Sequence, residues 1–269
     1  MLIWVINMKN LRNLQIKIKR LVQKLDFPDF LHKFGPKKYK LFDHVSALLT
    51  MQICKSSLRR TEIIANLFGQ KCPTYSALCK SRKRIPLELW QKLLKLTSGL
   101  SSGKVAIDGT GFSKTNPSFH YLKRIDGVNP RGYTKLSALF DIKNKKFLMM
   151  RIRTTPRHDM QDIKYLMKRS CGIKELYGDK GYNANWLFEK CYWEGIQTFI
   201  PAKKNAKKGW ARKKQMEKWD EIKYHKRSNI ESGFSAIKRK YGGVVGAKKI
   251  EGMRAEILLK GIAHNLRLG

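Results

Sequence analysis

The sequence is poor in acidic residues, with 20 Asp and Glu against 57 Lys and Arg among 269 residues. The formal charge of +37 exceeds what solubility requires and indicates a polyanionic partner. Residues 1–100 hold 20 basic and 5 acidic side chains, and residues 101–269 hold 37 and 15. No single tail carries the excess, so we expect an extended surface that binds phosphate backbones. A ribosome-type protein that is basic all over would carry the same charge.

Cysteine and histidine motifs are also missing. The five cysteines are odd in number and form no CxxC pair, which argues against a disulfide framework or a structural zinc site and favours a reducing compartment. The six histidines form no HExxH or HxH cluster, so the sequence does not support zinc catalysis. The cysteines, which we interpret as ordinary packing residues, are Cys54, Cys72, Cys79, Cys171 and Cys191.

Long apolar runs are absent as well. The longest apolar opening, residues 1–6, is too short to span a bilayer or to form the core of a signal peptide. We therefore expect a cytoplasmic, nucleoid-associated protein with no membrane partner, which begins at Met1 or Met8. Hydrophobic residues make up 42% of the chain, enough to bury a core.

The pattern of residues 1–98 predicts a small all-helical region. Apolar residues recur every three or four positions over residues 11–25, and residues 41–54 continue a helical pattern. Residues 58–68 and 73–83 predict two helices joined by a turn at Gly69, a possible DNA-reading helix-turn-helix over about 58–84. Two helices joined by a turn are also common in helical domains that do not read DNA. The candidate DNA contacts in the second helix are Arg82, Lys83 and Arg84.

The pattern changes character after residues 99–103, which have the composition of a flexible linker. Residues 104–269 predict three strands, then helix, strand, helix and strand, which together form a mixed α/β sheet with covering helices. Residues 253–268 predict an amphipathic helix that packs on this sheet. The predicted strands cover 104–108, 134–141, 146–154, 174–179 and 197–201, and the predicted helices cover 161–169 and 185–193.

Two aspartates follow apolar strands in this acid-poor chain. Asp108 follows Val-Ala-Ile and precedes Gly-Thr-Gly, and Asp179 follows Leu-Tyr-Gly and precedes Lys-Gly-Tyr. We expect each carboxylate to lie where its strand leaves the sheet, with small neighbours that leave room for a metal-bound phosphate. Taken singly, an aspartate in such a position more often forms an ordinary turn.

A third acid lies in a charged helix near the C-terminus. At about 100° per residue, Tyr224, Arg227, Glu231 and Lys238 share one face of the predicted helix 224–238. A solvated basic helix with one incidental Glu would explain this helix alone, but not the two upstream aspartates. Asp108 and Asp179 are 71 residues apart, and Glu231 follows Asp179 by 52 residues.

This pattern, Y-x2-R-x3-E-x6-K, resembles the signature of the DDE transposases of prokaryotic insertion sequences. The resemblance runs from residue 104 to the C-terminus and implies an RNase H-like catalytic domain over 104–269. It implies that Asp108, Asp179 and Glu231 form the catalytic metal-binding triad. The other stretches that carry the resemblance are 106–110, 154–159, 177–182 and 199–205.

The resemblance also implies the chemistry. Three carboxylates can hold two Mg²⁺ ions, with Mn²⁺ as a substitute, at which water nicks the element end and the freed 3′-OH attacks target DNA. Both element and target are double-stranded DNA, and joining two ends implies a homodimer. Arg227 and Lys238 would hold phosphates, Tyr224 would bond to or stack on DNA, and Lys180 is a weaker candidate for phosphate contact.

Basic residues and two tryptophans alternate in residues 203–226, a composition suited to following a DNA backbone or to a solvated loop. Two alternative functions stay open. An RNase H-like nuclease would only hydrolyse DNA, and a catalytically silent DNA-binding remnant would do neither step.

Overall fold

The computed structural model describes residues 8–32, 34, 37–67, 69, 71–114, 133–155, 157–169, 172–203, 205 and 208–268. Residues 1–6, Cys171 and two lysines of the basic segment, Lys204 and Lys207, on which sequence interpretations rest, lie outside these ranges. The four cysteines among the described residues are free thiols. No helix in the described part of the chain is long and apolar enough to cross a membrane.

The N-terminal region is helical, as predicted. Thr74 caps the helix that begins at Tyr75, because its hydroxyl accepts the Ala77 N–H at 3.4 Å. Gly69, in the predicted turn, has a φ of +64°. The helix from Leu87 was not predicted individually. The five helices among the described residues of this region are α1 (Met8–Gln23), α2 (Leu41–Ile53), α3 (Leu58–Leu67), α4 (Tyr75–Arg84) and α5 (Leu87–Ser98).

The second half of the chain forms the predicted mixed sheet. Its described strands are β1 (Lys104–Lys114), β2 (Tyr133–Asp141), β3 (Lys146–Arg153), β4 (Glu175–Tyr177), β5 (Gln197–Phe199) and β6 (Val244–Val245). They lie in the order β3-β2-β1-β4-β5, with β6 beside the end of β1. The first three strands are antiparallel, and β4 and β5 run parallel to β1. This mixed α/β arrangement confirms the predicted RNase H-like fold class.

The remaining described α-helices cover both faces of the sheet. They are α6 (Met160–Arg169), α7 (Asn185–Trp193), α8 (Trp210–Met216), α9 (Glu221–Tyr224), α10 (Asn229–Tyr241) and α11 (Ile250–Leu268). Val105 and Ile107 of β1 face a core that includes residues of α6 and α7. Ala106 and Phe112 face the opposite core, which includes residues of α10, α11 and the N-terminal helices. Alternation along β1 thus separates the two cores.

Helix α11 packs on the sheet, as predicted, but it is not amphipathic. Its other sides contact α5, α4 and α2, so polar side chains such as Lys260, His264 and Asn265 are buried as well. The N-terminal helices therefore pack against the same core as the sheet. The segment 99–103, despite its linker composition, is held by Asp141, which accepts the Ser102 N–H at 2.6 Å and the Ser102 hydroxyl at 2.7 Å.

The edge strand β5 is covered by one side chain from α8. Gln215 accepts the Thr198 N–H at 2.9 Å and donates to the Ile196 carbonyl at 2.9 Å. Its amide thereby imitates a neighbouring strand and satisfies backbone groups that an open edge would expose.

Candidate active site

The parallel pairing of β1 with β4 aligns two aspartates. Ala106 is the register partner of Tyr177, and Asp108 and Asp179 each follow this pair by two residues. Side chains alternate along extended backbone, so both carboxylates lie on the side of the sheet that Ala106 and Tyr177 face. Asp108 and Asp179 are thus neighbours in the structure, although they are 71 residues apart in sequence.

The predicted position of Asp108 at the end of its strand is wrong. β1 continues to Lys114, and Asp108 lies in mid-strand opposite Ala138 of β2. Gly109 and Gly111, the small neighbours expected where the strand leaves the sheet, stay in register with β2. On the other side of β1 the ladder with β4 stops at Ala106, so the carboxylate has a free flank there.

Asp179 lies where its strand ends, as predicted. β4 ends at Tyr177, and Asp179 caps a 3₁₀ turn over Lys180–Tyr182 by accepting the Gly181 N–H at 2.9 Å. A Cβ on Gly181 would lie 2.9 Å from the Asp179 carboxylate, so the turn needs glycine there. The turn leaves Lys180 exposed beside the aspartate.

The single helix predicted for 224–238 is wrong. α9 ends at Tyr224, a 3₁₀ turn covers His225–Ser228, and α10 begins at Asn229. Two side chains bond to carbonyls in this turn, because Ser228 donates to the His225 carbonyl at 3.0 Å and Asn229 to the Lys226 carbonyl at 2.7 Å. Such bonds compete with regular helix geometry. Tyr224 instead packs on Trp219, with ring centroids 5.2 Å apart.

Helix α10 approaches the sheet closely at Gly233. A Cβ at this residue would lie 2.7 Å from Cε2 of Phe140 in β2. The missing side chain therefore lets the helix lie directly on the strand, and this contact sets the height of Glu231 above the sheet.

Arg227 connects the strand to the helix. Its Nη1 lies 3.3 Å from Oδ2 of Asp108, and its Nη2 lies 2.9 Å from Oε1 of Glu231. One guanidinium thus pairs with two of the three predicted metal ligands.

Lys238, two helical turns after Glu231 in α10, contacts the same strand. Its Nζ donates to Oγ1 of Thr110 at 2.7 Å and lies 5.4 Å from the Phe112 ring centroid. Thr110 and Asp108 share a face of β1, so Arg227 and Lys238 contact β1 on one side, and Glu231 is linked to the strand through Arg227. Burial lowers the pKa of Lys238.

The electrostatics tie all three carboxylates together. Burial raises the pKa of Asp108 above its ordinary value, the Gly109 N–H and Arg227 lower it, and the charges of Asp179 and Glu231 raise it. Tyr182 lies buried beside them, and its pKa is raised by burial and by the charges of Asp108 and Asp179. The acids therefore form one negative centre.

The ligand atoms that this centre offers are the type that hard divalent cations prefer. Carboxylate oxygens are the ligands that Mg²⁺ and Mn²⁺ prefer, and neighbouring carboxylates repel one another unless a cation lies between them. In the described part of the chain, no three His, Cys, Asp or Glu side chains are arranged to hold a metal ion. The guanidinium of Arg227 lies between Asp108 and Glu231 instead.

The predicted DNA contacts of α4 differ in exposure. Arg82 pairs with Glu256 at 3.5 Å, and both side chains are only 12% exposed. Glu256 also accepts the N–H groups of Gly246 and Ala247, at 3.0 and 3.1 Å. This network turns Arg82 inward, whereas Lys83 and Arg84 are exposed.

Sequence reasoning missed a basic group on the opposite face of β1. Lys135 of β2 forms an ion pair with Asp159, and a Cβ on Gly109 would lie 3.4 Å from Cε of Lys135. Asp162 anchors the helix after this loop, since it accepts Ser137 Oγ at 2.8 Å and Arg153 Nη2 at 2.6 Å. The position of Lys135 within a mostly apolar strand was the only available signal.

Comparison with known families finds a match over more than half of the chain. The family model described as the transposase DDE domain matches residues 100–266. These residues run from the segment before β1 to two residues before the end of α11 and contain Asp108, Asp179 and Glu231. No curated protein matches the chain significantly.

Proposed function

Because the chain belongs to the transposase DDE domain family, we propose that it binds the ends of an insertion sequence, nicks them and joins the 3′-OH ends to target DNA. Membership in this family indicates transposase activity on a DNA substrate. The observation that supports the proposal most directly is the bridge from Asp108 through Arg227 to Glu231. It links β1 to α10, which are distant in sequence, and brings two carboxylates and a guanidinium together.

We assign the metal-ligand role to Asp108, Asp179 and Glu231, which would hold two Mg²⁺ ions or Mn²⁺. Bound divalent ions supply activation of the attacking oxygen and charge neutralisation at the phosphodiester. Arg227 then turns from the carboxylates to a phosphate, where its planar fork contacts two oxygens. Lys238 and Lys180 act as point charges on neighbouring phosphates, and Tyr224 contacts the DNA beside them.

The two steps use one geometry. In the first, a water oxygen bonds to phosphorus, the bond to the 3′ oxygen breaks, and that oxygen leaves as a 3′-OH. In the second, this 3′-OH bonds to a phosphorus of the target, and the target's own 3′ oxygen leaves. Only the nucleophile differs, so the same carboxylates and basic side chains serve both.

The chain around this centre would supply DNA binding. We propose that residues 1–98 form a DNA-binding region, that 99–103 connect it to the catalytic domain at 104–269, and that two copies hold two ends together. Lys83 and Arg84 are the exposed candidates for phosphate contact in α4. The net charge of +37 supports contact with more than one DNA segment.

Product analysis tests the proposal. Purified protein is incubated with DNA that carries the element's ends and with a target plasmid, in Mg²⁺ or in EDTA. We expect nicked ends and end–target joints in Mg²⁺ only. Nicks without joints, even from pre-nicked ends, would identify a nuclease that only hydrolyses, and binding without either product would identify a silent remnant.

A further inference from the structure

Three aromatic side chains form an exposed cluster where α7 ends and α8 begins. Ring centroids of Tyr192 and Trp193 lie 4.9 and 5.9 Å from that of Trp210, and 5.8 Å from each other, with edge-to-face angles of 70–86°. The exposed fractions of the three residues are 41%, 77% and 48%, respectively. We call these three residues the aromatic cluster.

The core does not need this cluster. Leu187, Phe188 and Cys191 of α7 are fully buried and already supply the apolar face of the helix. Three large aromatic side chains exposed side by side indicate an interaction site, because contiguous apolar surface in contact with water is unfavourable in free energy. The mutual edge-to-face contacts hold the rings in place and leave ring surface open to a partner.

The surroundings of the cluster are basic. Lys213 and Lys214 follow Trp210 by three and four residues, so they lie on its side of α8, and Lys208 precedes the helix. All three lysines are exposed, and Lys214 also pairs with Glu217 at 3.7 Å on the surface of the helix. Their charges favour an anionic partner and disfavour a second copy of this chain, which carries the same +37.

The partner must carry negative charge and must offer flat apolar surfaces to the rings. A nucleic acid with unpaired bases has both properties. In a duplex the base faces are stacked inside, whereas a single strand offers them to aromatic side chains and its phosphates to lysines. We propose that the aromatic cluster binds the unpaired bases of a single DNA strand, with Lys208, Lys213 and Lys214 on the phosphates.

The proposal rests on the function proposed above, since a strand cut at the carboxylate centre has a free end whose bases can unpair. α7 begins at Asn185, six residues after Asp179, and Trp193 lies about 12 Å farther along the helix axis. Helix α7 packs on the face of the sheet opposite the carboxylates, whereas α8, which carries Trp210, covers the β5 edge. A strand that leaves the centre would therefore reach the cluster around that edge.

Binding measurements in EDTA test the proposal without any need for cleavage. Fluorescence anisotropy compares labelled oligothymidylate with a duplex of equal length for wild type, Trp193→Ala, Trp210→Ala and the double variant. We expect each variant to lose affinity for the single strand about tenfold, and duplex affinity to stay within about twofold. Trp193→Phe keeps a ring and should retain most of the single-strand affinity.

The control is Phe34→Ala, which removes a ring that is 89% exposed elsewhere on the chain and should change neither affinity. Circular dichroism verifies that each variant is folded. Unchanged single-strand affinity of the double variant would overturn the proposal, as would equal losses on single strand and duplex. A dimer that the double variant abolishes, with single-strand affinity unchanged, would assign the cluster to self-association. A chain that fails to cut DNA but gives the expected binding pattern would refute the transposase function alone.

Discussion

Arg227 pairs with Asp108 across 119 residues of sequence, with Nη1 3.3 Å from Oδ2, while its other terminal nitrogen lies 2.9 Å from Glu231. The guanidinium is thus the cation between two carboxylates to which we assign metal binding. A divalent ion and Arg227 would compete for the same oxygens until DNA offers Arg227 a phosphate.

Arg227→Gln removes this competitor. We expect Mn²⁺ affinity without DNA to rise by about tenfold or more, since hydrogen bonds between charged groups contribute roughly 1.5–3 kcal/mol. Cleavage should fall, because a phosphate contact is lost. Titration followed by electron paramagnetic resonance measures free Mn²⁺. The matched control is Arg239→Gln, which removes an arginine that bonds to Ser235 in the same helix. Equal Mn²⁺ affinity in wild type and Arg227→Gln would refute the competition.

Asp108→Asn should stabilise the metal-free protein at neutral pH. The pKa of Asp108 is raised in the folded state by burial, so the folded chain binds a proton more readily than the unfolded chain. The contribution of this group to stability therefore decreases as the pH rises from 3.8, its ordinary pKa, through the raised folded value. Urea unfolding in EDTA should show the largest gain for the variant at pH 7 and a smaller gain as the pH falls. A gain independent of pH would contradict this electrostatic origin.

Lys260→Met should loosen the end of α10. The Lys260 side chain is buried, and its Nζ donates to the carbonyls of Gly242 and Val244, both at 2.7 Å. These bonds fix the turn between α10 and β6, and β6 pairs with the end of β1. We expect a loss of about 3 kcal/mol in the free energy of unfolding, because two carbonyls lose a charged donor. Lys249→Met, at an exposed residue just before α11, should change stability by less than about 0.5 kcal/mol.

The basic residues of α4 should separate into two roles. Arg82→Ala breaks a largely buried pair with Glu256 and should destabilise the fold by about 1–3 kcal/mol while the salt dependence of DNA binding stays unchanged. The Lys83→Ala, Arg84→Ala variant should keep its stability and reduce the slope of log affinity against log salt by about one unit per phosphate contact. An unchanged slope for that double variant would remove α4 from the DNA interface.

The positions of the acids were partly predictable from local pattern. Asp179 follows an apolar run that is too short to be anything but a strand, and the structure ends β4 just before it. Asp108 was misplaced because Gly109 and Gly111 are typical of turns, and only their pairing with β2 keeps them in the strand. Pairing between distant segments cannot be read from residues 104–114 alone.

The contacts that build the site were not predictable. Helical periodicity placed Arg227, Glu231 and Lys238 on one face, although a 3₁₀ turn, set by the side chains of Ser228 and Asn229, interrupts that helix. The side chain of Arg82 points inward because it pairs with Glu256, which lies 174 residues away in sequence. Neither the family signature nor composition contains such long-range pairs.

The central claim is that Asp108, Asp179 and Glu231 form the catalytic centre, and Glu231→Gln tests it most directly. The control is Glu251→Gln, at an exposed glutamate in the first turn of α11. Wild type and both variants are assayed for binding, nicking and joining of DNA that carries the element's ends, in Mg²⁺. We predict that Glu231→Gln binds these ends as wild type does and yields no more product than wild type in EDTA, while the control retains full activity. Nicking by Glu231→Gln at the wild-type rate would contradict the account.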